Sequence, residues 1–139
     1  MRLPKKIIDA NVILRLLLAD DEVQFLKAKA FLEEVEVGKE EVLLTEMVFA
    51  EVVWVLNKVY EVPRNQITEK FSSIINYRGL KTIFDKEMFL ECLRLYAHSS
   101  IDVQDIFLSV LSKARECSVV TFDRTCFKKL KTDTVKLGE

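Results

Sequence analysis

The chain has 139 residues, of which 50% are hydrophobic and 31% are charged, and its formal net charge is -1 at pH 7. This length predicts a single domain over residues 1–139, and the composition excludes a disordered chain. No apolar run reaches the ~20 residues that a membrane span needs, so we expect no membrane protein. The three cysteines form no Cys-x-x-Cys pair, which favours reduced thiols and a cytoplasmic protein.

Strands and helices alternate through the first half of the chain. The apolar pattern predicts strands at residues 6–8 and 42–44, and helices at 12–18, 20–37 and 46–60. Gly38 is expected to end the second helix, because a glycine tolerates the left-handed conformation that follows a helix. Thr45 is expected to cap the third helix through its side-chain oxygen.

The same alternation continues to the C-terminus. Helices are predicted from Pro63 to Gly79 and at residues 86–98, 102–117 and 123–130, with strands at 80–84, 118–121 and 134–137. Short strands separated by helices are typical of an α/β fold with a parallel sheet that is covered on both faces.

Four acids stand alone in apolar stretches: Asp9, Glu51, Asp105 and Asp123. Glu51 is the only charge in a helical segment that is apolar almost all round, so that segment is predicted to be buried. Asp9 and Asp123 each follow a predicted strand, where sites form in open α/β sheets. A buried, unpaired carboxylate costs several kcal/mol, and each acid therefore needs a partner.

Convergence of these acids would require bound cations or retained protons. Two like charges about 5 Å apart repel by roughly 3 kcal/mol at an effective dielectric near 20. Summed over four acids, the repulsion is on the order of 10–15 kcal/mol, comparable with the stability of a domain. Carboxylate oxygens select Mg²⁺ or Mn²⁺. Separate structural roles stay open: Asp9 and Asp123 could cap helices, and Glu51 could pair with a distant lysine.

Asp102 and Asp105 stand three residues apart at the start of one predicted helix. Asp102 is placed to be the N-cap, with its carboxylate accepting the backbone N–H of Asp105. Asp105 has no such structural role, which favours it as the functional acid. A run of bases from Lys113 to Lys136 is either a solvated face or a surface that holds a polyanion.

The sequence disfavours several other functions and residue roles. Trp54 is expected in the core rather than stacked on a base, because its helix is so apolar. His98 is expected to be a helix-end residue and not a catalyst, and it shares no zinc-ligand spacing with the cysteines. The absence of a GxxxxGK motif disfavours an ATPase. A phosphorylation receiver is disfavoured because a single acid follows the first strand.

Four motifs together resemble those of the PIN-domain family. Residues 7–14 resemble the opening motif with Asp9, and residues 45–56 resemble the second with Glu51. Residues 105–108 and 119–124 resemble the third and fourth motifs, so that the likeness runs from about residue 5 to 131. Cys126 departs from the family pattern, which often has an acid or a small polar residue there.

The resemblance implies a fold and a chemistry. The fold is a three-layer α/β/α sandwich with a five-stranded parallel sheet, and the reaction is hydrolysis of RNA phosphodiester bonds. Mg²⁺ or Mn²⁺ would be held by Asp9, Glu51, Asp105 and Asp123. Asn11 and Thr121 would orient that site, and Asp102 would assist a second ion.

The resemblance also implies partners. Arg124 and Lys128 would contact the RNA backbone. The length is similar to that of VapC-type toxins of prokaryotic toxin–antitoxin pairs, which are typically homodimers silenced by a cognate antitoxin. The alternative is a PIN-like RNA-binding or assembly module without catalysis.

Overall fold

The computed structural model describes residues 2–138, in which seven α-helices and four short strands alternate. The elements are α1 (Ala10–Leu18), α2 (Glu22–Val37), β1 (Val42–Leu43), α3 (Glu46–Trp54), α4 (Arg64–Ile75), β2 (Leu80–Lys81), α5 (Lys86–Ala97), α6 (Val103–Arg115), β3 (Val119–Thr121), α7 (Thr125–Lys129) and β4 (Thr134–Lys136). A π-helical segment, Val55–Val59, extends α3. Every predicted helix is present, with ends that differ by a few residues. None of these helices has the length and apolar character to cross a bilayer.

Helix boundaries follow the local chemistry of the sequence. The Thr45 hydroxyl accepts the backbone N–H of Val48 at 3.2 Å, which confirms the predicted cap of α3. Gly38 ends α2 with a φ of 86°, as predicted. Gly79 is required for space rather than conformation, because a Cβ there would lie 1.9 Å from the Glu40 carbonyl oxygen.

Three parallel segments lie side by side, with β1 in the middle. On one edge, the Leu43 N–H donates to the Lys6 carbonyl at 2.8 Å, and the Ile8 N–H donates to Leu43 at 3.0 Å. On the other edge, β1 pairs with β2 in parallel register, Val42 opposite Leu80. The first predicted strand is thus reduced to one bridge between Ile7 and Leu43.

The prediction of one five-stranded sheet is wrong. Strands β3 and β4 pair in parallel with each other, and within residues 2–138 no ladder joins them to the β1–β2 pair. Strands of two or three residues offer few backbone hydrogen bonds, too few to hold a wide sheet. Apolar side chains of both strand groups are in solvent, since Ile7 is 67% exposed and Val120 is 61% exposed.

The hydrophobic core is formed mainly by contacts between helices rather than by a wide sheet. The buried Phe49 ring of α3 lies 5.3 Å from Phe71 of α4 and 4.9 Å from Phe89 of α5, measured between ring centroids. Burial of aromatic side chains in contact contributes strongly to the free energy of unfolding. Helix α3 also packs against α1 and α6, so it is the central helix of the described chain.

Two polar contacts hold the periphery. The Arg64 guanidinium donates to the Ile101 carbonyl at 2.7 Å and lies 3.9 Å from the Tyr96 ring centroid, which ties α4 to the loop before α6. Lys113 donates to the Leu130 carbonyl at 2.5 Å and so anchors the end of α7 on α6. This lysine of the basic run therefore has a structural role.

Candidate active site

Three of the four isolated acids lie on neighbouring helices. Asp9 is the N-cap residue of α1, Glu51 lies in the middle of α3, and Asp105 lies in the first turn of α6. Because α3 packs against both α1 and α6, these helices share one region of the molecule. Asp123 lies between β3 and α7.

Asp9 and Glu51 have no structural partner in residues 2–138, and the partner of Asp105 there is the Cys126 thiol. None of the three forms an ion pair there, and the carboxylates of Asp9 and Glu51 accept no hydrogen bond. Asp9 does not cap α1 through its side chain. Lys6, three residues before it, pairs with Glu40 at 2.8 Å, and Arg15, six residues after it, pairs with Asp20 at 2.8 Å. The structural alternatives for Asp9 and Glu51 are therefore wrong for the part of the chain that the structure describes.

The outer face of α3 is open to solvent, contrary to the prediction that this helix is buried all round. Glu51 is exposed, and so are Met47 at 79% and Trp54 at 49%. The expectation that Trp54 belongs to the core is wrong. These residues are spaced four and three apart and therefore share one face. The burial that would have made the Glu51 carboxylate costly does not occur, because no element within residues 2–138 covers Glu51.

Asp123 is the acid with a local structural role. Its Oδ1 accepts the Thr125 hydroxyl at 2.5 Å and the Thr125 backbone N–H at 2.9 Å, and these two bonds lower the pKa of Asp123. Thr121 fixes the backbone of Asp123, since its hydroxyl donates to the carbonyl at 3.1 Å and accepts the N–H at 3.2 Å. Asp123 therefore stabilises the turn before α7 but does not cap this helix, whose N-cap residue is Arg124 and which has no side-chain cap.

Cys126 brings Asp105 and Asp123 into one neighbourhood. Partial burial, followed by the charge of Asp105 and a hydrogen bond to it, raises the pKa of the Cys126 thiol. Asp123 adds a smaller effect of the same sign. The residue that departs from the family pattern therefore lies beside two of the predicted site acids.

Asp102 occupies the predicted N-cap position without the predicted hydrogen bond. Its carbonyl accepts the Ile106 N–H at 3.1 Å, but its carboxylate caps nothing. The prediction that the Asp102 carboxylate accepts the Asp105 N–H is therefore wrong, and this carboxylate is exposed to solvent. Asp102 shares a shallow pocket with Trp54 and Gln104.

A complete metal cage is not assembled in residues 2–138. There, no three side chains among Asp, Glu, Cys and His come close enough to hold one ion. The donor chemistry nevertheless fits Mg²⁺ or Mn²⁺, because the acids keep free, accessible oxygens. Mg²⁺ is commonly bound by one or two carboxylates together with water and substrate phosphates.

The remaining predicted residues lie on the surface. Asn11 is exposed on α1, Lys128 is exposed on α7, and Arg124 is half-buried just before α7. His98 is the exposed C-cap residue of α5, as expected of a helix-end residue. The three cysteines are free thiols.

Sequence reasoning missed the exposure of Met47 and Trp54. The stripe formed by Met47, Glu51, Trp54 and Lys58 carries two charges among four positions, which is a signal for a solvent-facing stripe. That signal was available from the spacing alone.

An α/β protein with carboxylates that form no ion pair on adjacent helices offers the oxygen donors that Mg²⁺ and Mn²⁺ prefer. The family described as the PIN domain matches residues 6–132, and the chain belongs to this family. PIN domains are generally nucleases, which makes a nucleic acid the expected substrate class, and they generally use divalent metals. A comparison with curated proteins gave no match.

Proposed function

We propose that this protein is a metal-dependent endoribonuclease that hydrolyses phosphodiester bonds of single-stranded RNA. The observation that carries the proposal is the set of carboxylates of Asp9, Glu51 and Asp105 on three packed helices. Folding does not explain these acids, since none forms an ion pair in residues 2–138 and the one hydrogen-bond partner among them is the Cys126 thiol beside Asp105. Membership of the PIN family supplies the substrate class.

The proposed metal set is Asp9, Glu51, Asp105 and Asp123, with Mg²⁺ or Mn²⁺ as the ion. When bound, the ion supplies a water molecule of lowered pKa and a positive charge opposite the phosphate. Thr121 holds the backbone of Asp123, while Asn11 and Asp102 lie near the acids in sequence and serve as supporting groups. Arg124 and Lys128 are proposed contacts to the RNA backbone.

We propose that the RNA bases bind to the outer face of α3. Trp54 lies three residues after Glu51, and both side chains are exposed. An exposed indole beside a catalytic acid offers a surface on which a base stacks, and such stacking tolerates any base. Trp54 therefore positions the strand next to the acids in this proposal.

Metal removal and add-back test the proposal directly. Purified protein should cut a labelled single-stranded RNA with Mg²⁺ or Mn²⁺, stop with EDTA, and resume when the metal is restored. Asp105→Asn should lose cleavage, whereas Asp133→Asn, the same substitution at an exposed position outside the set, should keep it. Cleavage that persists in EDTA would contradict the metal-dependent mechanism.

The finer assignment that we propose is a VapC-like toxin that acts in the cytoplasm as a homodimer and is silenced by an antitoxin. It rests on the similarity in length and motif order. Expression alone should arrest growth, co-expression with an antitoxin encoded by a neighbouring gene should restore it, and light scattering should report a dimer. Normal growth on expression of an RNA-cleaving protein would contradict the toxin role.

The second candidate is an RNA-binding or assembly module without catalysis. It is favoured by one observation, that no three metal-ligating side chains meet in residues 2–138. Tight RNA binding with no cleavage under any divalent metal would support this candidate over the enzyme.

A further inference from the structure

A broad cleft lies outside the proposed metal site, and its lining contains none of the four acids of that site. It has a volume of about 1010 Å³ and is lined by three segments, residues 2–6, 38–41 and 81–86. Six cationic and three acidic side chains line it, a net charge of +3 in a protein whose net charge is -1. The cations are Arg2, Lys5, Lys6, Lys39, Lys81 and Lys86.

Half of these cations are left uncompensated by the fold. Lys6 pairs with Glu40 at 2.8 Å, and Lys81 lies 4.0 Å from Glu41. Arg2, Lys5 and Lys39 form no side-chain hydrogen bond or ion pair within the described residues. Three cationic side chains around one cleft are therefore available to an anion.

Lys86 is a half-buried cation in the lining of the cleft. Its ammonium group donates to the Tyr77 carbonyl at 2.9 Å, which fixes it in place. Burial and, after it, the charge of Lys81 lower the pKa of Lys86. An anion bound between these two lysines would relieve their repulsion.

The cleft and the acids lie towards opposite ends of the same strands. Lys6 precedes the segment that leads to Asp9, and Glu40 and Glu41 precede β1, which leads to Thr45. Three residues of extended chain separate Lys6 from Asp9, a span of roughly 10 Å. A polymer could therefore reach both places, whereas a single nucleotide could not.

Apolar side chains lie among the cations. Leu3 and Ile83 are exposed, and the half-buried Phe84 ring also lines the cleft. Single-stranded nucleic acids are bound by cations that follow the phosphates together with apolar or aromatic groups that contact the bases. An acidic peptide would use the cations and leave the apolar groups without a partner.

We propose that this cleft is a second RNA-binding site, which holds the backbone of the single-stranded substrate away from the bond that is cut. The identity of the ligand rests on the proposed function. The cleft strengthens binding of long RNA and adds nothing for fragments too short to span from the acids to the cations.

The test compares two matched double variants. Lys5→Ala/Lys39→Ala removes two uncompensated cations of the cleft, and Lys29→Ala/Lys70→Ala removes two exposed lysines on α2 and α4 outside it. Fluorescence anisotropy in EDTA measures binding of a labelled RNA of some two dozen nucleotides and of a labelled mononucleotide, which is too short to span both places, without cleavage. Circular dichroism checks that both variants fold.

The cleft variant should bind the long RNA on the order of tenfold more weakly at low salt, and its salt dependence should fall by about 1.4 in log–log slope, since each phosphate contact to a single strand contributes about 0.7. The control variant should show no change with either ligand, and the cleft variant should show none with the mononucleotide. Equal losses in both variants, or no loss in either, would overturn the proposal. Displacement of the RNA by polyglutamate of the same charge would also overturn it in favour of an acidic protein partner.

Failure of this inference is distinguishable from failure of the proposed function. Metal-dependent cleavage with unchanged binding by the cleft variant would reject the second site and leave the nuclease standing. If the unmodified protein cuts no RNA but the cleft variant still binds RNA more weakly than it does, the second binding site is supported and the nuclease function is rejected.

Discussion

The two faces of α3 are similar in sequence and opposite in role. Phe49, Val52 and Val53 are buried against the neighbouring helices, whereas Met47 and Trp54 lie in solvent around Glu51. Hydropathy does not distinguish the faces, because large apolar residues occur on both. This difference in burial shows that an apolar side chain that does not pack into the core is available to bind a ligand. In this protein the outer face is the one that carries a candidate catalytic acid.

The largest expected effect is on the outer face. Glu51→Gln should lower the single-turnover cleavage rate by more than about 100-fold, since even outer partners of metal ligands commonly cost 10–100-fold. The melting temperature should not fall, because Glu51 has no ion pair in residues 2–138. Glu69→Gln, on the exposed side of α4, is the control. A large loss of stability in Glu51→Gln would show that the acid is structural.

The next largest effect belongs to the inner face. Phe49→Ala should reduce the free energy of unfolding by about 3–5 kcal/mol, because it opens a cavity between the Phe71 and Phe89 rings. Met47→Ala, two residues away on the outer face, should change it by less than about 0.5 kcal/mol. Urea unfolding of both variants measures the difference. Equal losses would mean that the two faces are not distinct.

Local chemistry made the helix ends predictable from the sequence. Thr45 and Gly38 act through atoms of their own and adjacent residues, so no knowledge of the tertiary structure is needed. The isolation of Asp9, Glu51, Asp105 and Asp123 was also visible, because it is a property of their neighbours in the chain.

Features that depend on packing could not be predicted. Whether a helix face is covered depends on which elements reach it, and nothing covers Trp54 fully. Whether β3 joins the first strands depends on backbone hydrogen bonds between distant segments, which hydrophobic periodicity does not encode. The basic cleft is assembled from three segments, so no single run of the sequence predicts it.

A smaller effect tests whether the outer face binds RNA. Trp54→Ala should weaken RNA binding by about 1–3 kcal/mol, the loss typical of one stacked base. Stability should change little, since the indole is half exposed. Trp54→Phe should retain most of the affinity, because it keeps an aromatic face. Anisotropy in EDTA measures all three proteins. Unchanged affinity in Trp54→Ala would place the bases elsewhere.

The smallest expected effect is the difference in stability between variants of Thr45 and of Asp102. These residues occupy the N-cap positions of the two helices that carry Glu51 and Asp105. The Thr45 hydroxyl accepts the Val48 N–H, whereas the Asp102 carboxylate accepts no N–H of α6. Thr45→Ala should therefore cost about 1 kcal/mol of unfolding free energy, and Thr45→Ser should recover most of it. Asp102→Ala should cost only a few tenths of a kcal/mol, because what remains is the attraction of an exposed charge to the helix N-terminus. Thermal melts of the three variants measure this difference. A loss of about 1 kcal/mol in Asp102→Ala would mean that its carboxylate caps α6 in solution, leaving Asp105 as the acid of that helix without a structural role.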